Sequence, residues 1–362
     1  VIQKRLHRRR RMFRLRVYHA ETTAQWKAVY IDSGTKSNVN CPRVYTEQYL
    51  KNPDNQDINS VIQGFKNGLD IMFLDSEPHW SGKICACSKC DKLWRGFLKA
   101  KKAKYISIKQ AAAVEPDLLQ QFWNEFYIEL WRYFKSAAQK AAGGKAIKIG
   151  VYGCPGMSTN YRFGNNTSFA PVYKANALDF ANPSLYSIIT PELGKAVKHA
   201  IANNPAGAPF YVWLTGGGSS LTFEKTPADF KNRVYEAFMN GAKGIVIWTA
   251  RGFNTREYQA FAGAISILQP YEEIIYSGKA SKAFSCSDKA VQLTGLTLNG
   301  KTLLLVTRYG VNKPGKVTVK SSGSFRKAAI LTGGKLTVKS SSLIISFDGS
   351  EENCTQLLLV DK

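Results

Sequence analysis

Acidic residues, histidines and long apolar runs are all scarce in this chain of 362 residues. It has 26 Asp and Glu against 50 Lys and Arg, a formal net charge of +24, and only four histidines. No stretch approaches the roughly 18 consecutive apolar residues of a membrane span. Hydrophobic residues make up 44% and aromatic residues 12%, which excludes a disordered or collagen-like chain, whose composition could not fill a core.

The positive charge is divided between the start of the chain and a diffuse remainder. Residues 1–16 carry eight Lys and Arg and no acid, which is a third of the net charge. The rest is spread, notably over residues 99–104 and 279–362. A diffuse excess indicates polyanion tolerance or solubility, whereas a focused patch with a recognition motif would indicate nucleic acid. We therefore predict a basic N-terminal arm over 1–16 and do not expect nucleic acid as the main partner.

Three of the seven cysteines form a C-x-C-x-x-C motif at residues 85–90. One interpretation is a metal knuckle, with His79 as a fourth ligand. The other is a loop held by disulfides, one of them to Cys41 or Cys154. We favour disulfides over a metal, and expect a further disulfide between the ends of the last 84 residues. The disulfide candidates are Cys85, Cys87, Cys90, Cys286 and Cys354.

Three asparagines begin N-glycosylation acceptor triplets, namely Asn165, Asn166 and Asn353. Such triplets mark surface loops of secreted proteins. Together with the expected disulfides they predict an extracellular protein.

Residues 17–278 alternate short apolar runs with segments of helical period, which is typical of βα units around a parallel sheet. The clearest helix is Pro116–Ala142, which begins at a proline and stops at two glycines. The pattern predicts an α/β fold with a (β/α)8 barrel, and a doubly wound sheet is the alternative. Only two strands precede Ile71, where a complete barrel has three, so either one strand is cryptic or the barrel is incomplete. The predicted strands are Phe13–Tyr18, Ala28–Ile31, Ile71–Leu74, Ile147–Tyr152, Leu185–Ile189, Phe210–Leu214 and Gly244–Trp248.

Residues 279–362 change in character and predict a small all-β sandwich without helices. Turns such as Asn299-Gly300 and Gly333-Gly334 separate its alternating runs. The predicted strands are Val291–Leu298, Thr302–Tyr309, Lys316–Lys320, Ala328–Leu331, Lys335–Val338, Leu343–Phe347 and Thr355–Val360.

Carboxylates and aromatic residues follow the predicted barrel strands at their carboxyl ends, where the active sites of such barrels lie. Asp75 and Glu77 are two residues apart on a strand, so we expect them on one side, with pKa values pushed apart. Such a pair, with aromatic rings that stack on a pyranose, suits sugar chemistry. The alternative is that the pair holds basic or backbone groups at the barrel mouth. The substrate-binding candidates are Trp80, Tyr152, Glu192, Trp213, Trp248 and Arg251.

The segment LDIMFLDSE at residues 69–77 resembles the D-x-x-D-x-D-x-E signature on the fourth strand of chitinase-like TIM-barrel glycoside hydrolases. Asp70, Asp75 and Glu77 match, whereas Phe73 replaces the middle aspartate and Ile71 the usual glycine. The cysteine motif that follows is similar to one found after an acidic strand end in many bacterial barrel glycosidases. A barrel followed by a small β-sandwich is also a common glycosidase arrangement.

This resemblance implies Glu77 as the general acid, Asp75 as the carboxylate that orients the substrate or its acetamido group, and Trp248 as the floor of a sugar subsite. It implies no cofactor. In another large class of barrel glycosidases a nucleophilic glutamate ends the seventh strand, but here no acid follows Trp213 until Glu224. Two functions stay open: a glycosidase acting on oligo- or polysaccharide, or a non-catalytic carbohydrate-binding or extracellular structural protein on a degenerate scaffold. An acidic glycan would suit the basic charge of either.

Overall fold

A computed structural model gives the fold of the protein as two compact units, each described by itself. The first unit comprises residues 1–183 and 202–208, and the second comprises residues 184–201 and 209–362. In the described part of the chain, no helix combines the length and apolar character needed to cross a membrane. The described residues are 12–16, 27–29, 36–41, 56–75, 85–152, 170–182, 185, 188–202, 204–214, 226–247 and 254–361.

The first unit is built around a parallel sheet with helices between its strands. Its elements in chain order are β1 (Met12–Arg16), β2 (Lys27–Val29), β3 (Lys36–Asn40), α1 (Gln56–Lys66), β4 (Ile71–Asp75), α2 (Ser88–Ala100), α3 (Ile108–Val114), α4 (Pro116–Ala141), β5 (Lys148–Tyr152), α5 (Ala170–Lys174) and β6 (Phe180–Asn182).

The parallel sheet has the order β1-β4-β5-β6, and β2 pairs with β3 in a separate antiparallel hairpin. The strand β1 therefore pairs directly with β4, and neither β2 nor β3 enters the parallel sheet. Within the described residues, the expected closed eight-stranded barrel is not present. The parallel strands form this sheet of four and a separate pair in the second unit. The described residues therefore have the predicted α/β class but not the predicted closed barrel.

The long helix α4 supplies much of the core of the first unit. Large apolar residues recur every four positions, so Phe122, Phe126, Leu130 and Phe134 fall on one buried face. The indole of Trp94, on α2, stacks against Phe97 at 5.4 Å and meets Phe122 edge-on at 5.4 Å. These rings join α2 to α4, and burial of their apolar area stabilises the pair.

The second unit contains the remaining elements. They are α6 (Thr190–Ala202), β7 (Tyr211–Leu214), α7 (Pro227–Met239), β8 (Gly244–Ile247), α8 (Thr255–Leu268), a 3-10 turn (Gln269–Tyr271), α9 (Glu272–Ser277), β9 (Lys279–Ala280), β10 (Phe284–Cys286), β11 (Gln292–Leu298), β12 (Lys301–Thr307), β13 (Gly315–Ser321), β14 (Lys327–Ile330), β15 (Lys335–Lys339), β16 (Ser342–Phe347) and β17 (Thr355–Asp361).

The strands after residue 278 form a β-sandwich of two antiparallel sheets, β14-β17-β12-β11-β9 and β10-β13-β16-β15. Side chains alternate along each strand, and the inward ones from both sheets make one core, as in Val306, Val319 and Ile345. All seven strands predicted from Val291 to Val360 are present within a residue or two, and the short β9 and β10 precede them.

One predicted strand is wrong. Of the segment Leu185–Ile189, the described residues 185, 188 and 189 are not in a strand. The guanidinium of the buried Arg233, on α7, donates to the carbonyls of Leu185 and Ile188. These carbonyls are therefore satisfied by a side chain rather than by a sheet ladder. Among the described residues, the strand that precedes this segment is β6, which is formed by only three residues.

Candidate functional site

The carboxyl edge of the parallel sheet brings together the last residues of its four strands. In the backbone register, Asp75 of β4 pairs with Arg16 of β1 on one side and with Tyr152 of β5 on the other. Tyr152 in turn pairs with Asn182 of β6. All four strands run the same way, so these four residues end their strands at the edge where ligands bind in parallel sheets.

Most of the other predicted site residues lie outside the described part of the chain. These are Glu77, His79, Trp80, Trp248 and Arg251, together with the glycosylation candidates Asn165 and Asn166 and the cysteine Cys154. Their roles stay predictions.

Besides Asp75, Tyr152 and the cysteines, three predicted site residues are described, and the structure places each of them. Trp213, on β7, is 1% exposed, so no ring face is open to a sugar. Glu192 lies in the first turn of α6 and forms an exposed ion pair with Lys195, at 3.2 Å. The side-chain amide of Asn353, a glycosylation candidate, donates to Asp348 Oδ2 at 2.6 Å.

Four cysteines of the first unit converge on one point. The Sγ atoms of Cys41, Cys85, Cys87 and Cys90 all lie within 4.8 Å of one another. The Cys41 sulfur lies 3.3 Å from that of Cys90 and 3.7 Å from that of Cys87. Three of the four residues are buried and Cys87 is half-buried.

Two local elements build this cluster. Cys41 directly follows β3, so the β2–β3 hairpin positions the first sulfur. Cys87 is the N-cap of α2, and Cys90 lies in the first turn of that helix. The helix begins with unsatisfied N–H groups, which favour negative charge on sulfurs beside them. The backbone N–H of Cys87 also donates to the sulfur of Cys85, at 3.4 Å.

The expected disulfides are not formed, because no disulfide joins any of the described cysteines. In the cluster, the spacings of 3.3 and 3.7 Å exceed the roughly 2.05 Å of a sulfur–sulfur bond. In the sandwich, Cys286 lies on β10 of one sheet, and Cys354 precedes β17 of the other. The Cys354 sulfur accepts a hydrogen bond from the Asn232 amide at 3.2 Å, and no bridge joins the two ends.

The four sulfurs fit a tetrahedral zinc ion better than they fit pairwise bonds. With Zn–S bonds of about 2.3 Å, the ligand sulfurs of a tetrahedron lie about 3.8 Å apart, which is close to the spacings above. The hydrogen bonds of Cys41, of which that with Cys85 has the largest effect, raise the pKa of Cys41. The hydrogen bonds of Cys87, of which that with Cys41 has the largest effect, lower the pKa of Cys87. A divalent cation would supply the charge that lets all four sulfurs deprotonate. The four sulfurs could therefore hold a metal ion, which the sequence analysis did not favour.

Spacing identified three of the four sulfurs and suggested His79 as the fourth ligand, and Cys41 was named only as one of two possible disulfide partners of the motif. The fourth sulfur in the structure is that of Cys41, which lies 44 residues before Cys85 in the sequence. No local signal links two positions that far apart, so only the folded chain shows that they meet.

No model of a known protein family matches this sequence, and no curated protein matches it either. The solved structures with a similar backbone include several glycoside hydrolases. A GH27 β-L-arabinopyranosidase from Geobacillus stearothermophilus is 9% identical, with a TM-score of 0.49 over 98% of this chain and 74% of that one. An α-amylase from H. orenii is 10% identical, with a TM-score of 0.46 over 91% and 67%. An Anoxybacillus α-amylase is 9% identical, with a TM-score of 0.46 over 97% and 98%.

In a second structure of the Geobacillus enzyme, in complex with arabinose, this chain spans only 62% of the length. At a sequence identity of about one residue in ten, the similarity concerns the backbone fold alone. It does not indicate which side chains of this chain act on a substrate.

Proposed function

We propose that the protein is a glycoside hydrolase in which Glu77 is the general acid and Asp75 is its partner carboxylate. The observation that supports this proposal is the backbone register at the sheet edge, where Asp75 lies between Arg16 and Tyr152. In the sequence, Glu77 follows Asp75, the last residue of β4, by two positions.

The chemistry follows from the two carboxyl groups. A protonated Glu77 donates its proton to the glycosidic oxygen as the bond to the leaving sugar breaks. An ionised Asp75 stabilises the positive charge that develops on the sugar ring, or orients a substrate group that does so. Tyr152 supplies a phenol for a sugar hydroxyl, and Trp80 and Trp248 are the proposed stacking surfaces.

A non-catalytic carbohydrate-binding protein is the second candidate function. It is favoured by the absence of an acid between Trp213 and Glu224 in the sequence and by the buried position of Trp213. The two candidate functions differ in whether the bound sugar is cleaved: the second binds sugar without breaking a bond.

Hydrolysis of a panel of aryl glycosides and of chito-, gluco- and galacto-oligosaccharides tests the proposal. We expect Glu77→Gln to lower kcat/KM by at least about a hundredfold, the usual contribution of a general acid. The exposed Glu352→Gln is the matched control and should leave the rate unchanged. Turnover that survives in Glu77→Gln would overturn the assignment. No turnover in the wild type, with oligosaccharide binding in both proteins, would instead establish the second candidate.

We also propose that Cys41, Cys85, Cys87 and Cys90 bind one zinc ion with a structural role. Four protein ligands leave no open position for a substrate or water, which is the arrangement of structural zinc sites. The ion would fix the end of the β2–β3 hairpin to the start of α2. Native mass spectrometry should find about one zinc per chain in the wild type and in Cys286→Ser, and none in Cys41→Ser. Zinc-free wild-type protein after purification with zinc present would contradict the proposal.

A further inference from the structure

The outer face of one sheet of the β-sandwich carries a regular array of lysines. In this sheet, β10-β13-β16-β15, less and more exposed residues alternate along β13 and β16, so alternate side chains point to opposite faces. The inward residues include Val317, Leu343 and Ile345, all buried. The residues between them therefore make up the opposite face.

Strand register arranges the outward residues in three rows across the sheet. Ser346 of β16 is flanked by two lysines, one on each neighbouring strand, and so is Ser342. Between these rows, Ile344 is flanked by two threonines. Ser285 of β10 extends the last row. The rows are Lys316–Ser346–Lys335, Thr318–Ile344–Thr337 and Ser285–Lys320–Ser342–Lys339.

The four lysines of these rows are all exposed, and no ion pair to them is found in the described residues. No acidic residue lies in the rows. The first acid beyond the end of β16, Asp348, accepts hydrogen bonds from Ser350 and Asn353. The face therefore carries four unneutralised positive charges, with small hydroxyl side chains between them.

The spacing of the charges indicates the kind of anion. Lysines in one row are separated by two strand spacings, about 10 Å, and those on one strand by four residues, about 13 Å. Duplex DNA carries one charge per roughly 1.7 Å of its axis and is read by elements that enter its grooves. The three rows contain no aromatic side chain on which a base could stack. The face therefore suits a polymer with sparse anionic groups and many hydroxyls.

We propose that this face, defined by Lys316, Lys320, Lys335 and Lys339, binds an acidic polysaccharide. The lysines would pair with its carboxylate or sulfate groups, and the serine and threonine hydroxyls would hydrogen-bond to its sugar hydroxyls. The inference deepens the proposed function because it names a class of glycan, but binding at this face does not require Glu77.

Affinity of the full chain for polygalacturonate and for dextran sulfate tests the proposal, with neutral dextran and duplex DNA as comparison polymers. We expect the variant Lys316→Gln/Lys320→Gln/Lys335→Gln/Lys339→Gln to lose at least about tenfold in affinity for one of the two acidic glycans, since each exposed pair contributes modestly. Raised salt should weaken wild-type binding in the same direction. The double variant Lys335→Gln/Lys339→Gln, on the edge strand alone, should show an intermediate loss.

Lys282→Gln/Lys289→Gln removes two other exposed lysines of the same unit and should retain wild-type affinity. Unchanged affinity in both face variants, with thermal unfolding as in the wild type, would overturn the proposal. A loss of DNA binding without a loss of glycan binding would also overturn it and assign the face to nucleic acid. Glu77→Gln should bind like the wild type, so failure of the catalytic assignment and failure of this inference are distinguishable.

Discussion

The hydroxyl of Tyr309 donates a hydrogen bond to Oε1 of Glu236 at 3.0 Å, inside the second unit. Glu236 lies on α7 and is 3% exposed. Its other oxygen accepts from the Asn240 amide at 2.8 Å. Burial raises the pKa of this carboxyl group to about 7, against the opposing effect of the two hydrogen bonds and of the Lys198 charge. A buried acid thus joins the helix to the segment that follows β12.

This carboxyl group should make stability depend on pH. Because its pKa is raised in the folded state, its favourable contribution is present below about pH 4.5 and is lost as the pH rises through 7. The full change is at most about 3 kcal/mol. We expect the free energy of unfolding of Glu236→Gln, relative to that of the wild type, to be higher at pH 8 than at pH 5. Urea unfolding at both pH values measures this difference. The exposed Glu352→Gln should follow the wild type, and an equal pH dependence in Glu236→Gln would contradict the assignment.

Removal of zinc should destabilise the first unit. A ligand present at a thousand times its Kd adds about 4 kcal/mol to the stability of the state that binds it. Incubation with a strong chelator should therefore lower the Tm, and added zinc should restore it. Cys41→Ser should already have the lower Tm and should not respond to the chelator, whereas Cys286→Ser should behave like the wild type. A wild-type Tm that is unaffected by chelation would argue against a bound structural ion.

Gly150 cannot be replaced by alanine without repacking. It pairs with Phe180 in the register of β5 and β6, and an added Cβ would lie 2.0 Å from the Phe180 ring. That ring also meets Phe73 edge-on, with centroids 5.1 Å apart. We expect Gly150→Ala to lower the free energy of unfolding by about 1–3 kcal/mol, and Phe180→Leu in the same chain to relieve part of the loss.

The control for this change is Gly96→Ala, on the exposed face of α2, where an added Cβ meets nothing within 4 Å. Alanine in a helix is favoured over glycine by about 0.5–1 kcal/mol, so this variant should be slightly more stable than the wild type. Equal stability of the two alanine variants in denaturant unfolding would contradict the packing argument.

Arg233 should be essential to the segment before α6. It is fully buried, burial lowers its pKa to about 10, and it donates to the carbonyls of Leu185 and Ile188. Arg233→Met would leave those carbonyls without their donor, at a cost of about 1–3 kcal/mol each. Thermal unfolding should show a markedly lower Tm for Arg233→Met and an unchanged Tm for the exposed Arg256→Met. Similar values for the two variants would refute this role.

Local periodicity determined most of the elements. The long helix from Pro116, the strands Ile71–Asp75 and Lys148–Tyr152, and the seven later strands of the sandwich follow from repeats of 3.6 and 2.0 residues. The sequence predictions failed where a strand is very short, or where an apolar run fits a strand but has another structure. A run such as Leu185–Ile189 is apolar enough for a strand, and only its contact with a distant arginine gives it another structure. The three residues of β6 are too few to form a recognisable pattern.

Pairing and proximity were decided by tertiary structure alone. The sequence placed Asp75 and Tyr152 at strand ends, but only the sheet order sets them side by side. It predicted three clustered cysteines, but Cys41 joins them only because the hairpin ends beside α2. Likewise, nothing in the sequence near Glu236 indicates that it is buried against Tyr309. Contacts between distant residues depend on how the elements pack, and a local pattern of side chains contains no information about that packing.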